Sequence, residues 1–278
     1  MPYRIVQSKQ NGRLKELRRA LTHPGREAAG LAGIEGIKLL GEALRAGLRV
    51  PTVFAAQGSE SLLDHLLLAP ETEILLLPRE LLDSALTTEA PQPIAALAEP
   101  PQWSWPQLLG SKEDSALIVV LAGLQDPGNL GTILRSAEAF GATGVLALPG
   151  TVSAWNPKTV RASAGSIFRM PLLALSAKEC FDRLRESGIT IWTTDVNEAR
   201  PANFVDLVAP AALLIGNEGN GVPAGLAAEA SGAITIPCPG PVESLNAAVA
   251  ASVLLYEASR QRHHLRWGGP SQSSGGKQ

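Results

Sequence analysis

Five polar side chains stand just beyond apolar runs, where a strand would hand over to a loop or helix. They are Asn129 and Arg135 after "ALIVVLAGLQDPG", Glu218 inside "LLIGNEGNGVP", and Ser244 and Asn246 inside "IPCPGPVESLNAAVAASVLLY". Arg135 lies about a turn and a half into a helix, where a cation opposes the macrodipole. It could hold an anion there, or it could pair with Glu138 three residues on. Glu218 sits among Gly216, Gly219 and Gly221, and glycines let backbone come close to a ligand. Its carboxylate could be a solvated turn group, or an acceptor for an Asn or Arg across a site. Ser244 and Asn246 are poor helix formers at the head of an alanine-rich helix. They could cap that helix, offer polar groups to a ligand, or do both.

Other chemistries fit less well. No Gly-Lys-Ser/Thr follows the glycines, so no phosphate-binding loop is formed, and Asp126-Pro-Gly-Asn-Leu-Gly is not a dinucleotide fingerprint. A nicotinamide oxidoreductase is therefore disfavoured. The four histidines, His23, His65, His263 and His264, all lie outside residues 66–262, which argues against a His-based triad or His-rich metal site in the C-terminal half. Cys180 and Cys238 match no metal or redox spacing and suit a reduced, cytoplasmic protein. Cys238 is expected as a small buried side chain.

The 278 residues are 45% hydrophobic and 18% charged, enough for a full core and unlike a disordered chain. The formal charge of −2 announces no global attraction to nucleic acid. Charge is nonetheless uneven: residues 1–50 hold ten Lys/Arg against four Asp/Glu, and residues 51–115 hold two against ten. A basic beginning suggests a local anionic partner. Met1-Pro-Tyr-Arg does not open a signal peptide, and no apolar run reaches the roughly 18 residues of a membrane span.

The elements that must position these residues follow from periodicity. Residues 8–22 predict a basic helix with Leu14, Leu17 and Leu21 on one face. "GIEGIKLLGEALRAG" predicts a second helix, and "VPTVFAA" and "TEILLLP" buried strands with "SLLDHLLLA" as a helix between them. Residues 90–115, with five prolines, read as a linker or an edge strand returning to the first sheet. Beyond them, "ALIVVLAGL", "TGVLALPG", "ITIWTTD", "AALLIGNEG" and "AITIPCPG" alternate with helices at 129–140, 177–187 and 243–262. Continuous apolar strands alternating with helices predict a parallel sheet covered on both faces. Leu130, Ile133, Leu134, Ala137 and Phe140 form the expected buried stripe of the first of those helices. Two α/β domains are expected, 1–110 and 111–264, with a disordered Gly/Ser-rich tail at 265–278. Ligands in such sheets bind at the carboxyl ends of the strands.

Taken in series, "NLGTILRSAEAFGA", "VRASAGSIFRMPL", "LLIGNEGNGVP" and "IPCPGPVESLNAAVAASVLLYEA" resemble the SpoU, or TrmH-like, RNA ribose 2′-O-methyltransferases of the SPOUT class. The likeness covers about 115–262, and a weaker one over 8–100 points to a substrate-binding domain. Cys238 departs from it, since a bulkier apolar residue or Met would be expected there. The resemblance implies a smaller α/β domain ahead of a parallel-sheet α/β domain whose C-terminal part forms a deep trefoil knot. It implies S-adenosylmethionine as cofactor, bound by Gly216, Ile236 and Leu245, with Thr194 lining the pocket. It implies catalytic roles for Asn129, Arg135, Glu218, Ser244 and Asn246; on our reading of the chemistry, Asn129 and Glu218 are expected to orient Arg135. It also implies a homodimer, for which the small residues Ala247, Ala248, Ala250 and Ala251 would allow close packing. A guanidinium, with pKa above about 12, is a poor base. Arg135 is therefore expected to fix phosphate and hydroxyl and to stabilise oxygen charge. Lys9, Arg13, Lys15, Arg18 and Arg19 form a candidate phosphate-binding face. Aromatic residues are few, which favours recognition by shape and backbone. The attached front domain favours large-subunit ribosomal RNA as substrate. Transfer RNA, or a non-catalytic role in RNA binding or ribosome assembly, are the alternatives.

Overall fold

Along Leu117–Leu121 successive side chains point to opposite faces. Leu117, Val119 and Leu121 enter one core, and Ile118 and Val120 enter another. A strand buried on both faces must lie inside a layered sheet, and the computed structural model shows one. It describes residues 3–23, 30–111, 115–195, 199–241 and 244–264. The tail at 265–278 lies outside the described residues.

The first half contains β1 (Tyr3–Ile5), α1 (Gly12–Thr22), β2 (Ala32–Glu35), α2 (Ile37–Arg45), β3 (Thr52–Ala56), β4 (Glu73–Leu77), α3 (Arg79–Asp83), β5 (Ile94–Ala98) and α4 (Trp105–Leu109). Its sheet runs β1-β4-β3-β5-β2, with β5 antiparallel to both neighbours. Asn11 caps α1 by accepting from the Leu14 amide at 3.1 Å, and Leu14, Leu17 and Leu21 are buried as the spacing predicts.

Three expectations need correction here. The stretch read as one helix from Gly33 to Gly47 is split: Gly33–Glu35 belong to β2, and Gly36 at φ +99° breaks the chain before α2. "SLLDHLLLA" makes only a 3₁₀ turn at Glu60–Leu63. Leu66 and Leu68, two residues apart, both pack on the core, whereas a continuing helix would turn them to different faces. Residues 94–98 are an interior strand rather than an edge.

The second half contains β6 (Leu117–Leu121), α5 (Pro127–Ala139), β7 (Gly144–Ala147), α6 (Pro157–Ala162), β8 (Leu172–Ala174), α7 (Ala177–Glu186), β9 (Thr190–Thr194), β10 (Arg200–Pro201), β11 (Ala211–Ile215), α8 (Ala224–Ala227), β12 (Gly232–Thr235) and α9 (Ala247–His264). All its strands are parallel, in the order β10-β12-β9-β11-β6-β7-β8. The short α6 and β8, which bracket "SAGSIFRMP", do not follow from periodicity. α9 starts at Ala247, later than expected. Phe140 is only half-buried and ends α5.

One apolar core joins the two sheets. Ile34, Val53, Ile94 and Leu40 of the first half share it with Val119 and Leu121 of β6, and with Leu134 and Leu254. The far face of the second sheet packs Cys180, Phe181 and Leu184 of α7 against Ile118 and Leu214. The far face of the first packs α1 against Phe54, Leu75 and Leu97. α9 is fastened at its end by Arg262, which donates to the carbonyls of Leu207 (2.8 Å), Ala116 (3.1 Å), Ala209 (3.1 Å) and Ser115 (2.5 Å).

Candidate functional site

Strand order reverses at β6: the chain moves outward through β7 and β8, then crosses to the other side of β6 for β9 and β11. Such a switch point opens a crevice at the strand carboxyl ends. The loops after β6 and β11 meet there. Asp126 caps α5, accepting from the amides of Gly128 and Asn129, and Lys158 of α6 lies 3.3 Å from its other oxygen. Asn129 and Gly128 donors, against a smaller opposing effect of burial, hold the Asp126 carboxyl below its ordinary value. Asp before Pro at a helix start is a cap signal as well as a turn signal, and here the cap is what it makes.

Glu218 reaches across the crevice. Its carboxylate accepts from Asn129 Nδ2 at 2.8 Å and from the amides of Asp126 at 3.2 Å and Gln125 at 3.4 Å. Burial raises this carboxyl, but those donors outweigh it and hold it below the ordinary value. Glu218 is thus a fixed anion and a poor proton acceptor at neutral pH. Asn129 Oδ1 in turn accepts from Asn246 Nδ2 at 3.1 Å. Asn246 caps α9, its Oδ1 accepting from the amides of Ala248 at 2.9 Å and Val249 at 3.3 Å. Glu218, Asn129 and Asn246 therefore tie three segments far apart in sequence into one chain of hydrogen bonds.

Arg135 departs from expectation. It is exposed and makes no hydrogen bond or ion pair with the described residues, while Asn129 and Glu218, expected to orient it, bond to each other and Asn129 to Asn246. Glu138 does not pair with it either, being held by Arg169. Ser244 is exposed and lies ahead of α9, so Asn246 alone does the capping expected of both.

Thr194, Gly216 and Ile236 are brought together by topology. They stand at or just past the carboxyl ends of β9, β11 and β12, which are neighbours in the sheet. Thr194 Oγ1 donates to the Leu214 carbonyl at 3.0 Å. A Cβ built at Gly216 would lie 2.1 Å from the Gly221 carbonyl carbon, so only glycine fits. Asn217 and Gly221 close that loop with paired backbone hydrogen bonds, and Asn217 Oδ1 accepts from the amides of Gly219 and Asn220. Leu245 and Ile236 are half-buried. Cys238, expected as buried, is exposed in the loop after β12. Cys180 is the buried thiol, and burial pushes it up to about 12.

On the first domain, Lys9, Lys15 and Arg19 are exposed. Arg13 is partly neutralised by Glu16 at 2.9 Å and Glu73 at 3.6 Å, and Arg18 donates to Ser84. The basic face is thus narrower than its residue count suggests.

An open parallel sheet with polar groups gathered at its switch point and a second α/β unit docked beside it defines a two-part ligand-binding α/β protein. Residues 116–256 match the SpoU rRNA methylase family, and residues 11–96 match an MRM3-like substrate-binding domain. The chain is 30% identical, over 90% of its length and 97% of the relative's, to the 23S rRNA (guanosine(2553)-2'-O)-methyltransferase RlmP of Bacillus subtilis. Among solved structures it is similar to the SpoU methyltransferase AviRb from Streptomyces viridochromogenes in complex with AdoMet, with a TM-score of 0.79 at 28% identity over 94% of this chain and 100% of that one. An AdoMet-bound rRNA methyltransferase from Sinorhizobium meliloti gives a TM-score of 0.80 at 29% identity, covering 93% and 98%. The chain belongs to the SpoU rRNA methylase family.

Proposed function

We propose that this chain transfers a methyl group from S-adenosylmethionine to a ribose 2′-hydroxyl of structured RNA, with large-subunit ribosomal RNA as the substrate. The observation that carries the reading is the Glu218–Asn129–Asn246 chain at the switch point, with an exposed Arg135 further along α5 that has no partner among the described residues. The ribosomal substrate is supported by the RlmP relative, which aligns across both halves of the chain. No described helix is long and apolar enough to cross a membrane, and we assign the enzyme to the cytoplasm.

The strand ends fit the cofactor. At Gly216 the loop folds its own Gly221 backbone against the strand end, which fixes the backbone edge that a cofactor ring would meet, with Thr194, Ile236 and Leu245 around it. Bound there, S-adenosylmethionine supplies a methyl group activated by its sulfonium charge. The chain's own task is the acceptor, because a 2′-hydroxyl is a very weak acid. Arg135 holds the adjoining phosphate and stabilises charge as it develops on the ribose oxygen. It does not remove the proton, which passes to a substrate phosphate oxygen or to water. Glu218 fixes Asn129, and Asn129 and Asn246 fix the relative positions of α5 and α9. Ser244, exposed ahead of α9, offers a hydroxyl to the ribose.

Residues 1–110 hold the RNA and residues 111–264 carry out the transfer. Lys9, Lys15 and Arg19 contact phosphates, with Arg13 and Arg18 at the margin. The C-terminal part is threaded into a trefoil knot, and the protein is a homodimer. The dimer is supported by Val249 (49% exposed), Val253 (39%) and Tyr256 (55%), which line one face of α9 next to Phe140.

The test uses tritiated S-adenosylmethionine, the purified full chain and total RNA from a strain lacking the gene. Label is expected in large ribosomal RNA, lost with Arg135→Ala, and RNA binding is expected to weaken as salt rises. Label confined to transfer RNA, or binding indifferent to salt, would overturn those parts of the reading.

A further inference from the structure

Arg135 and Glu138 lie three residues apart on α5, a spacing at which Arg and Glu side chains meet. Left alone, Glu138 would neutralise the cation that the methyl transfer needs. In the structure it is turned away. Arg169, just after the 3₁₀ turn Ser166–Phe168, grips Glu138 with two donors, Nε to Oε1 at 2.5 Å and Nη2 to Oε2 at 3.1 Å. The third arm of the guanidinium, Nη1, donates to Glu42 Oε2 of α2 at 2.7 Å. Arg169 and both carboxylates are about one-third exposed, so the cluster is partly shielded from solvent. Its backbone is built for closeness. Gly165, at φ +98°, lies so near Glu42 that an added Cβ would come within 2.7 Å of its side chain. A planar fork with fixed donor directions can span two carboxylates in this way, which a lysine does less well.

We propose that Arg169 is a positioning residue for methyl transfer, which keeps Arg135 available by holding Glu138 away from it. Glu42, from the other domain, fixes the remaining side of the guanidinium, so the arrangement is complete only when the two domains are docked. The inference rests on the catalytic reading of Arg135.

The experiment compares kcat for methyl transfer to RNA in six forms of the full chain: wild type, Arg135→Ala, Arg169→Ala, Arg169→Gln, Glu138→Gln and Arg169→Ala/Glu138→Gln, with thermal melting read on each. An exposed pair at this spacing is worth a few tenths of a kcal/mol, so Arg169→Ala is expected to lower kcat by about 1.4-fold to 2.3-fold through that pairing alone. A carboxylate near the developing oxygen charge would deepen that loss. The double variant, which also removes the competing charge, is expected to recover wild-type kcat although it has lost the whole cluster. Arg169→Gln, milder toward the fold, is expected to behave as Arg169→Ala does. A residue needed only for folding would show no such rescue. Turnover kept by Arg135→Ala overturns the catalytic reading, and this inference with it. Turnover lost in Arg135→Ala but unchanged in Arg169→Ala, or not restored in the double variant, overturns this inference alone.

Discussion

A carboxylate that is only an anchor behaves differently with pH from one that is a base, and Glu218 is the anchor. Its donors hold it below the ordinary carboxylate value, so it is charged in the folded state at neutral pH. The folded value lies below the unfolded one. Its contribution to stability is therefore full above the unfolded value, about 4.3, and is lost as pH falls through the depressed folded value. Glu218→Gln is expected to remove this acid-side loss of melting temperature and to lower methyl transfer at every pH, without introducing a new limb near neutrality. A pH profile of turnover that shifts upward in the variant would mean that Glu218 takes a proton in the reaction. The placement of Glu218, Asn129 and Asn246 was legible in the sequence, because polar groups at the ends of apolar strands have few places to go. The surroundings of Arg135 were not. Spacing along one helix offers Glu138, but Arg169 arrives from 31 residues further on and outcompetes it with two donors.

Elements transmit these positions by contact. α5 and α6 cross at Gly131, where an added Cβ would lie 2.5 Å from Ala162 Cβ and 2.6 Å from the Thr159 carbonyl oxygen. Backbone meets backbone there, with no flexible side chain to yield. Gly131→Ala is expected to destabilise the chain by about 1–3 kcal/mol, the usual cost of overpacking, read as a lower denaturation midpoint. Because Asn129 and Arg135 flank that crossing, turnover should fall further than the lost stability explains. An unchanged midpoint would mean that the helices can slide apart. Strands and long helices were legible because their apolar periods are unbroken, as in β6 and in the Leu14, Leu17, Leu21 stripe. Boundaries were not where one glycine decides them, as at Gly36, nor where a six-residue helix such as α6 is too short to show a period.

At the scale of the molecule, two surfaces remain to be used, the basic side of α1 and the apolar face of α9. If the latter joins two copies, Tyr256→Glu places a charge in the contact. The expected outcome is a monomer in sedimentation, with the melting transition of the monomer fold retained. A wild-type chain that sediments as a monomer at micromolar concentration would remove the dimer from the reading. The two-domain plan was legible from composition, but the shared core was not, since nothing in "GIEGIKLLGEALRAG" says which distant strands will cover it. That core has a consequence for how the protein is made. It draws Ile34 and Leu40 from the start of the chain and Leu254, Leu255 and Ala258 from near its end. During synthesis the early half leaves the ribosome with part of its apolar surface waiting for residues not yet translated. The nascent chain therefore passes through an interval of aggregation risk that closes only when α9 emerges.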